Sequence, residues 1–182
     1  MLFKWPSSMD KVNGGPITEP RGTVREEVVE LRDLLPTFLD VGGLSIPDSL
    51  NGSSLLHLLH SASEGDKTES PEPTWRKYLD LEHNLCYNTT NHWSALTDGH
   101  MKYIFQAYFD DEQLFDLDFD PEELFNLAFE EEWQDELAMW RQRMVAQLEE
   151  EQRGPGWVLG GKLMRRVQPQ MYSPHYPGPI PL

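Results

Sequence analysis

The chain has 182 residues, of which 38% are hydrophobic, with six Trp, eight Phe and six Tyr; that suffices for one domain with a sizeable core or two small subdomains, and is too aromatic for a chain disordered throughout. Its formal net charge is −16, concentrated in residues 110–151, which hold 16 acidic and two basic side chains, whereas 152–182 hold four basic and no acidic ones; phosphate backbones are repelled and no basic groove is visible, which argues against nucleic-acid binding. No apolar run approaches the ~20 residues that cross a bilayer, Met1 to Pro6 lacks a signal peptide's apolar core, and the single cysteine, Cys86, excludes an intrachain disulfide and leaves the compartment unread.

Residues 1–6 predict the end of a strand closed by Trp5-Pro6, and 7–23, rich in Ser, Gly and Pro, predict a surface loop. Val24 to Leu31 is expected to be extended. A helix follows, with Asp33 as N-cap and Leu34-Leu35-Pro36 as its first turn, where proline is tolerated because those N–H groups have no intrahelical partner. Leu34, Leu35, Phe38 and Leu39 recur at the helical period and are assigned to the core. Gly42-Gly43 supplies the stop. Asn51-Gly52 is a turn, Ser53 or Ser54 caps a short helix through Leu59, and 61–73 is a polar linker.

Beyond Thr74 the pattern changes to strands. Trp75 to Leu81 and Leu85 to Tyr87 are expected first, then a hairpin of Trp93–Leu96 and Met101–Phe105 joined through Asp98-Gly99, then Leu114 to Leu117. Asp120-Pro121-Glu122 reads as a helix start. A long helix runs from about Glu130 to Glu150, with Trp133, Leu137, Trp140, Met144 and Leu148 as the face that packs on the sheet and the acidic residues as a solvated face. Gly154-Pro155-Gly156 ends it. The tail has six prolines after Arg153 and is expected to hold no fixed structure of its own.

Three blocks then stand in order: Phe3-Lys4-Trp5-Pro6; Leu31 through Gly43 with Ile46-Pro47 and Asn51-Gly52-Ser53-Ser54-Leu55; and Tyr87 through Leu127, including Asp98-Gly99-His100-Met101-Lys102-Tyr103-Ile104 and Glu112-Gln113-Leu114-Phe115-Asp116-Leu117 with Asp120-Pro121-Glu122. Together they resemble the C-terminal part of type I, formylglycine-dependent sulfatases of the alkaline-phosphatase-like superfamily, with Asn51 where that family more often has Asp. The resemblance implies an α+β fold: residues 1–65 as the C-terminal remnant of an α/β catalytic domain, 66–152 as a subdomain with an antiparallel sheet of about four strands under a long helix, and 153–182 as a flexible tail.

It also implies the chemistry of the parent enzyme, hydrolysis of sulfate esters by a formylglycine made from Cys or Ser in a C/S-x-P-x-R motif, with calcium held by Asp and Asn oxygens. Cys86 is followed by Tyr87-Asn88-Thr89 and does not fit that motif. Asp98-Gly99-His100 imitates a metal block of the family but falls in a hairpin turn. No catalytic and no metal-binding residue is therefore assigned. His57 and His60, three apart, lack a third ligand at useful spacing. In the family the C-terminal subdomain can lend polar groups to the pocket rim, and the candidates here are His83, Asn91, His92 and Lys102, although Lys102 is expected on the solvent face because Tyr103 and Phe105 mark the opposite one. Asn51 and Asn88 begin N-glycosylation patterns. The expected function is a portion of a sulfuric ester hydrolase, inactive alone. The alternatives are an accessory module that binds a partner through an exposed sheet surface, and the C-terminal part of a phosphoester or phosphonate hydrolase.

Overall fold

The computed structural model describes residues 4, 11–12, 15–16, 22, 24–59, 75–83 and 90–167. The chain forms two compact units, Met1–Lys77 and Tyr78–Leu182.

In the first unit, Lys11–Val12 (β1) and Gly15–Pro16 (β2) pair antiparallel. Val24 to Glu30, expected to be extended, forms no strand. A 3-10 turn at Leu31–Asp33 feeds helix α1, Leu34–Val41. Gly43, at φ 70, ends it where a left-handed backbone is needed. Leu56–Leu59 forms α2, and the Ser54 hydroxyl accepts the Leu56 N–H at its start.

Two expectations for α1 are corrected. Asp33 has helical backbone angles and makes no N-cap bond within the helix. The apolar residues are not the buried face either: Leu35 and Phe38 are exposed, Leu34 and Leu39 are half-buried, and Pro36 and Thr37 are buried. The cause is a competing stripe. Asp33, Thr37 and Asp40, spaced four and three, hydrogen-bond the segment from Ser53 to Leu55, which turns the helix so that Leu35 and Phe38 face water.

The second unit is built on a four-stranded antiparallel sheet in sequential order: β3 (Leu79–His83), β4 (Trp93–Thr97), β5 (Met101–Gln106) and β6 (Asp111–Asp116). The expected strand at Leu85–Tyr87 lies outside the described residues. The β4–β5 turn needs Gly99 at φ 95, and the Asp98 carboxylate accepts the N–H groups of His100 and Met101 to close it. Register aligns Leu96 with Tyr103 and Tyr103 with Leu114 on one face. Helix α3, Gln134–Glu150, lays Leu137, Trp140, Met144, Val145 and Leu148 on that face. Full burial of each aliphatic side chain contributes ~1.5–3 kcal/mol. Trp140 is fully buried and meets Tyr78 edge-on at 5.7 Å. The α+β architecture of a four-stranded antiparallel sheet under a long helix is thus the one expected.

The opposite face is apolar at its centre, not solvated: Ala95, Ile104 and Phe115 are buried there, with Leu81, Trp93 and Leu117 around them. Asp120-Pro121-Glu122 starts no helix. It forms a turn whose Asp120 carboxylate accepts the Phe125 N–H, and the chain reaches α3 through 3-10 turns at Leu127–Phe129 and Glu131–Trp133. The stretch after Arg153 also departs from expectation. Val158–Leu159 (β7) and Lys162–Leu163 (β8) form a hairpin around Gly160-Gly161, both at positive φ. Buried Trp157 anchors it, with the Arg153 and Arg166 guanidiniums 4.0 and 3.6 Å from its ring.

Candidate functional site

In the first unit the buried polar side chains Asp33, Thr37 and Ser54 form one clip. The Asp33 side chain is fully buried; its carboxylate accepts the Ser53 N–H, the Glu30 N–H and both Nη groups of Arg76, at 2.9, 2.9, 2.5 and 2.7 Å. Burial by itself raises its pKa; the Arg76 pair and the two N–H groups outweigh that and hold the carboxyl below the ordinary carboxylate range. Thr37 donates to the Asp33 carbonyl and accepts the Leu55 N–H, and Ser54 donates to Asp40. Gly52 lies so close to the Arg32 carbonyl that a Cβ would stand 2.1 Å from its oxygen. The two motif segments around Asp33 and Gly52 are therefore one structural joint. The sequence carried a signal for it, the polar stripe Asp33-Thr37-Asp40, which the leucines overshadow. Asn51 is exposed beside this joint and His57 is exposed on α2; Asn88 and His60 lie outside the described residues.

The four rim candidates separate. His83 ends β3, stacks on Trp93 at 5.8 Å, and places Nδ1 2.9 Å from the Asn91 carbonyl oxygen. Asn91 is exposed. His92 is buried, with Nε2 2.5 Å from the Arg166 carbonyl oxygen and Tyr108 edge-on at 6.1 Å. These three share the Trp93 end of β4. Lys102 pairs in register with Thr97 at the other end, roughly 13 Å away for four residues of strand. It is largely buried on the Ile104 face, not spread on a solvent face, and donates to both carboxylate oxygens of Glu123 at 2.8 and 2.9 Å. Only His83, Asn91 and His92 are brought together, and of these His92 faces inward.

The strongest charge cluster lies at β6. Glu112 accepts the Tyr103 hydroxyl at 2.5 Å and Arg141 Nε and Nη2 at 2.7 and 2.6 Å. Burial, then the Glu112 carboxylate, pushes the Tyr103 hydroxyl far above its ordinary pKa, so it stays protonated and donates; the Glu112 hydrogen bond also raises the Arg141 pKa. The cluster ties α3 to the sheet. Asn126, part of the third motif block but assigned no role there, accepts the Leu114 N–H and donates to the Glu112 carbonyl, occupying the outer edge of β6 as a strand would. Asp98 closes its own turn, and His100 pairs with Asp118 at 3.0 Å. Among the described residues no three His, Cys, Asp or Glu side chains are grouped to hold a metal ion. The carboxylates of Asp33, Glu112 and Glu123 are engaged by Arg, Lys and backbone N–H groups, so these three do not make a calcium site.

The sequence model of the family described as "N-sulphoglucosamine sulphohydrolase, C-terminal" matches residues 1–152. An arylsulfatase of Clostridium perfringens is 34% identical over 152 residues, covering 84% of this chain and 29% of that protein. Arylsulfatase K of Mus musculus is 41% identical over 95 residues, covering 50% of this chain and 16% of its own length. Among solved structures, a 2-O GAG sulfatase superposes with a TM-score of 0.55 at 26% identity, covering 66% of this chain and 24% of that one. The chain thus spans less than a third of the length of these relatives. Among the described residues no helix is long and apolar enough to cross a membrane.

Proposed function

Since the chain belongs to the N-sulphoglucosamine sulphohydrolase C-terminal family, we propose that it is the C-terminal portion of a sulfuric ester hydrolase and acts as scaffold rather than as the hydrolytic centre. The observation that carries this reading is the coverage: 84% of this chain aligns with only 29% of an arylsulfatase. The carboxylates of Asp33, Glu112 and Glu123 support it, because each is spent on a structural ion pair. In the family this chain resembles, formylglycine supplies the nucleophile and calcium neutralises the sulfate; neither C-x-P-x-R nor an oxygen-lined cage is found in the sequence or among the described residues. Residues 1–65 serve as the C-terminal edge of a catalytic domain and 66–152 as the sheet-and-helix subdomain, and 153–182 follows it, with the hairpin at Val158–Leu163 packed on that subdomain's core. His83 and Asn91, at one end of the sheet, are the polar groups the chain offers to the rim of a pocket for a sulfate ester.

The experiment is an assay of the 182-residue chain on an aryl sulfate with calcium, after removal of contaminating sulfatase. No turnover above the uncatalysed background is expected. Turnover that survives repurification and Cys86→Ala would overturn the scaffold assignment. Turnover abolished by Cys86→Ala would overturn the exclusion of that cysteine as well.

A further inference from the structure

Residues 117–133 join β6 to α3 without a strand or α-helix, yet the segment is fixed along its length. Leu117 N–H donates to the His100 carbonyl at 2.7 Å, Asp120 N–H to the Asp116 carbonyl at 2.8 Å, and Phe125 N–H to the Asp120 carboxylate at 2.8 Å. Asn126 clamps it to β6. Glu123 sits at φ 56, a left-handed backbone that costs a glutamate energy, and Lys102 grips its carboxylate there. Leu117, Leu127 and Trp133 of this segment pack against the two cores, while Phe119, Leu124, Phe125 and Phe129 stand at 91%, 68%, 70% and 75% exposure.

Aromatic side chains offer ~150–250 Å² each, so the four side chains together present on the order of 500 Å². Summed over one short segment, that exposed area is comparable with the ~300–600 Å² of apolar patches that are often functional. The same stretch, 116–132, contains eight carboxylates and no Lys or Arg, and Asp118, Glu122, Glu130, Glu131 and Glu132 are exposed. Apolar anchors within an anionic rim select a ligand that is apolar and cationic. Anionic lipid and nucleic acid are repelled. A second copy docked on this patch by its own equivalent would set carboxylates against carboxylates, because a two-fold interface matches a surface with itself.

We propose that Phe119, Leu124, Phe125 and Phe129, with the carboxylates between and beside them, form a docking surface for a basic amphipathic segment of another polypeptide, one that places Lys or Arg among Leu, Ile or aromatic side chains. The test is fluorescence anisotropy of the 182-residue chain with a labelled amphipathic Lys/Leu peptide, against Lys/Ser and Glu/Leu peptides of equal length. The Lys/Leu peptide is expected to bind at least about tenfold tighter than either comparator, and Phe119→Ser/Phe125→Ser to lose about tenfold while the melting temperature is unchanged. Glu130→Gln/Glu131→Gln/Glu132→Gln is expected to weaken binding about fivefold and to flatten its salt dependence; this variant leaves the aromatic side chains in place, so it decides the matter if the first one unfolds. Equal binding of the Lys/Ser peptide, equal binding of the Glu/Leu peptide, or full binding by either folded variant would overturn the proposal. So would a dimer in sedimentation that Phe119→Ser/Phe125→Ser dissociates, since the occupant would then be a second copy.

Discussion

Gly52→Ala tests the joint between α1 and the Ser53–Leu55 segment. The added Cβ would stand 2.1 Å from the Arg32 carbonyl oxygen, 2.5 Å from its carbon and 3.0 Å from the Asp33 nitrogen. Ordinary contact begins near 3.4 Å, so the backbones must separate by about 3.4 − 2.1 = 1.3 Å. A shift of that size breaks the bond from Ser53 N–H to the Asp33 carboxylate and strains the one from Leu55 N–H to Thr37, both 2.9 Å. A bond to a charged group is worth ~1.5–3 kcal/mol and a neutral one ~0.5–1.5, which sets the expected loss at about 2–4 kcal/mol. Amide hydrogen exchange of Ser53 and Leu55 should then accelerate roughly 30- to 700-fold, at about 1.4 kcal/mol per tenfold. Gly42→Ala is the control in the same unit: Gly42 has φ −77, and a Cβ there would meet nothing nearer than 3.3 Å, so exchange should change by less than about threefold. If Gly52→Ala leaves both amides within the range of Gly42→Ala, the close approach to Arg32 does not hold this joint together and the reasoning fails.

Three further outcomes follow from named contacts. Asp33 has a depressed pKa, so its contribution to stability is complete above the ordinary carboxylate value of ~3.9 and is lost as pH falls through the lower folded value; urea melts followed by the Trp75 indole N–H, which donates to the Val28 carbonyl, should show an acid limb that Asp33→Asn flattens, at a cost of about 3 kcal/mol at neutral pH from the uncompensated Arg76. Asn126→Ala removes the acceptor of Leu114 N–H and the donor to Glu112, and should speed Leu114 amide exchange by an amount corresponding to about 2 kcal/mol. Trp157→Ala should lower the thermal midpoint by an amount corresponding to ~3–5 kcal/mol, as for a core aromatic, and an unchanged midpoint would show that the hairpin after Arg153 is not part of the folded unit.

The hairpin β4–β5 and the inner face of α3 were legible because each rests on a local rule. Asp98-Gly99 supplies its own turn, and Leu137, Trp140, Met144 and Leu148 keep the helical period without competition. The orientation of α1 was not legible by the same rule, since two stripes share its period and the buried one is polar. Nothing in the spacing says that Asp33 will find Arg76 or Ser53; those partners are 43 and 20 residues away. Trp157 was hidden by the glycines and prolines around it. The rim candidates are four polar residues near one another in sequence, but β-register decides position along the sheet, and it sends Lys102 to the end opposite His83. Asn126 lies inside the third motif block, but its role was not legible, because a lone amide between Leu124-Phe125 and Leu127-Ala128-Phe129 does not say which strand edge it will meet.

That amide has a consequence for the chain in quantity. An uncovered β-strand is a template on which another molecule can grow, hydrogen bond by hydrogen bond, into a fibril. At β6 the template is already occupied by a side chain of the same molecule, which offers one donor and one acceptor where an incoming strand would need them. Polymerisation from that border must first evict Asn126.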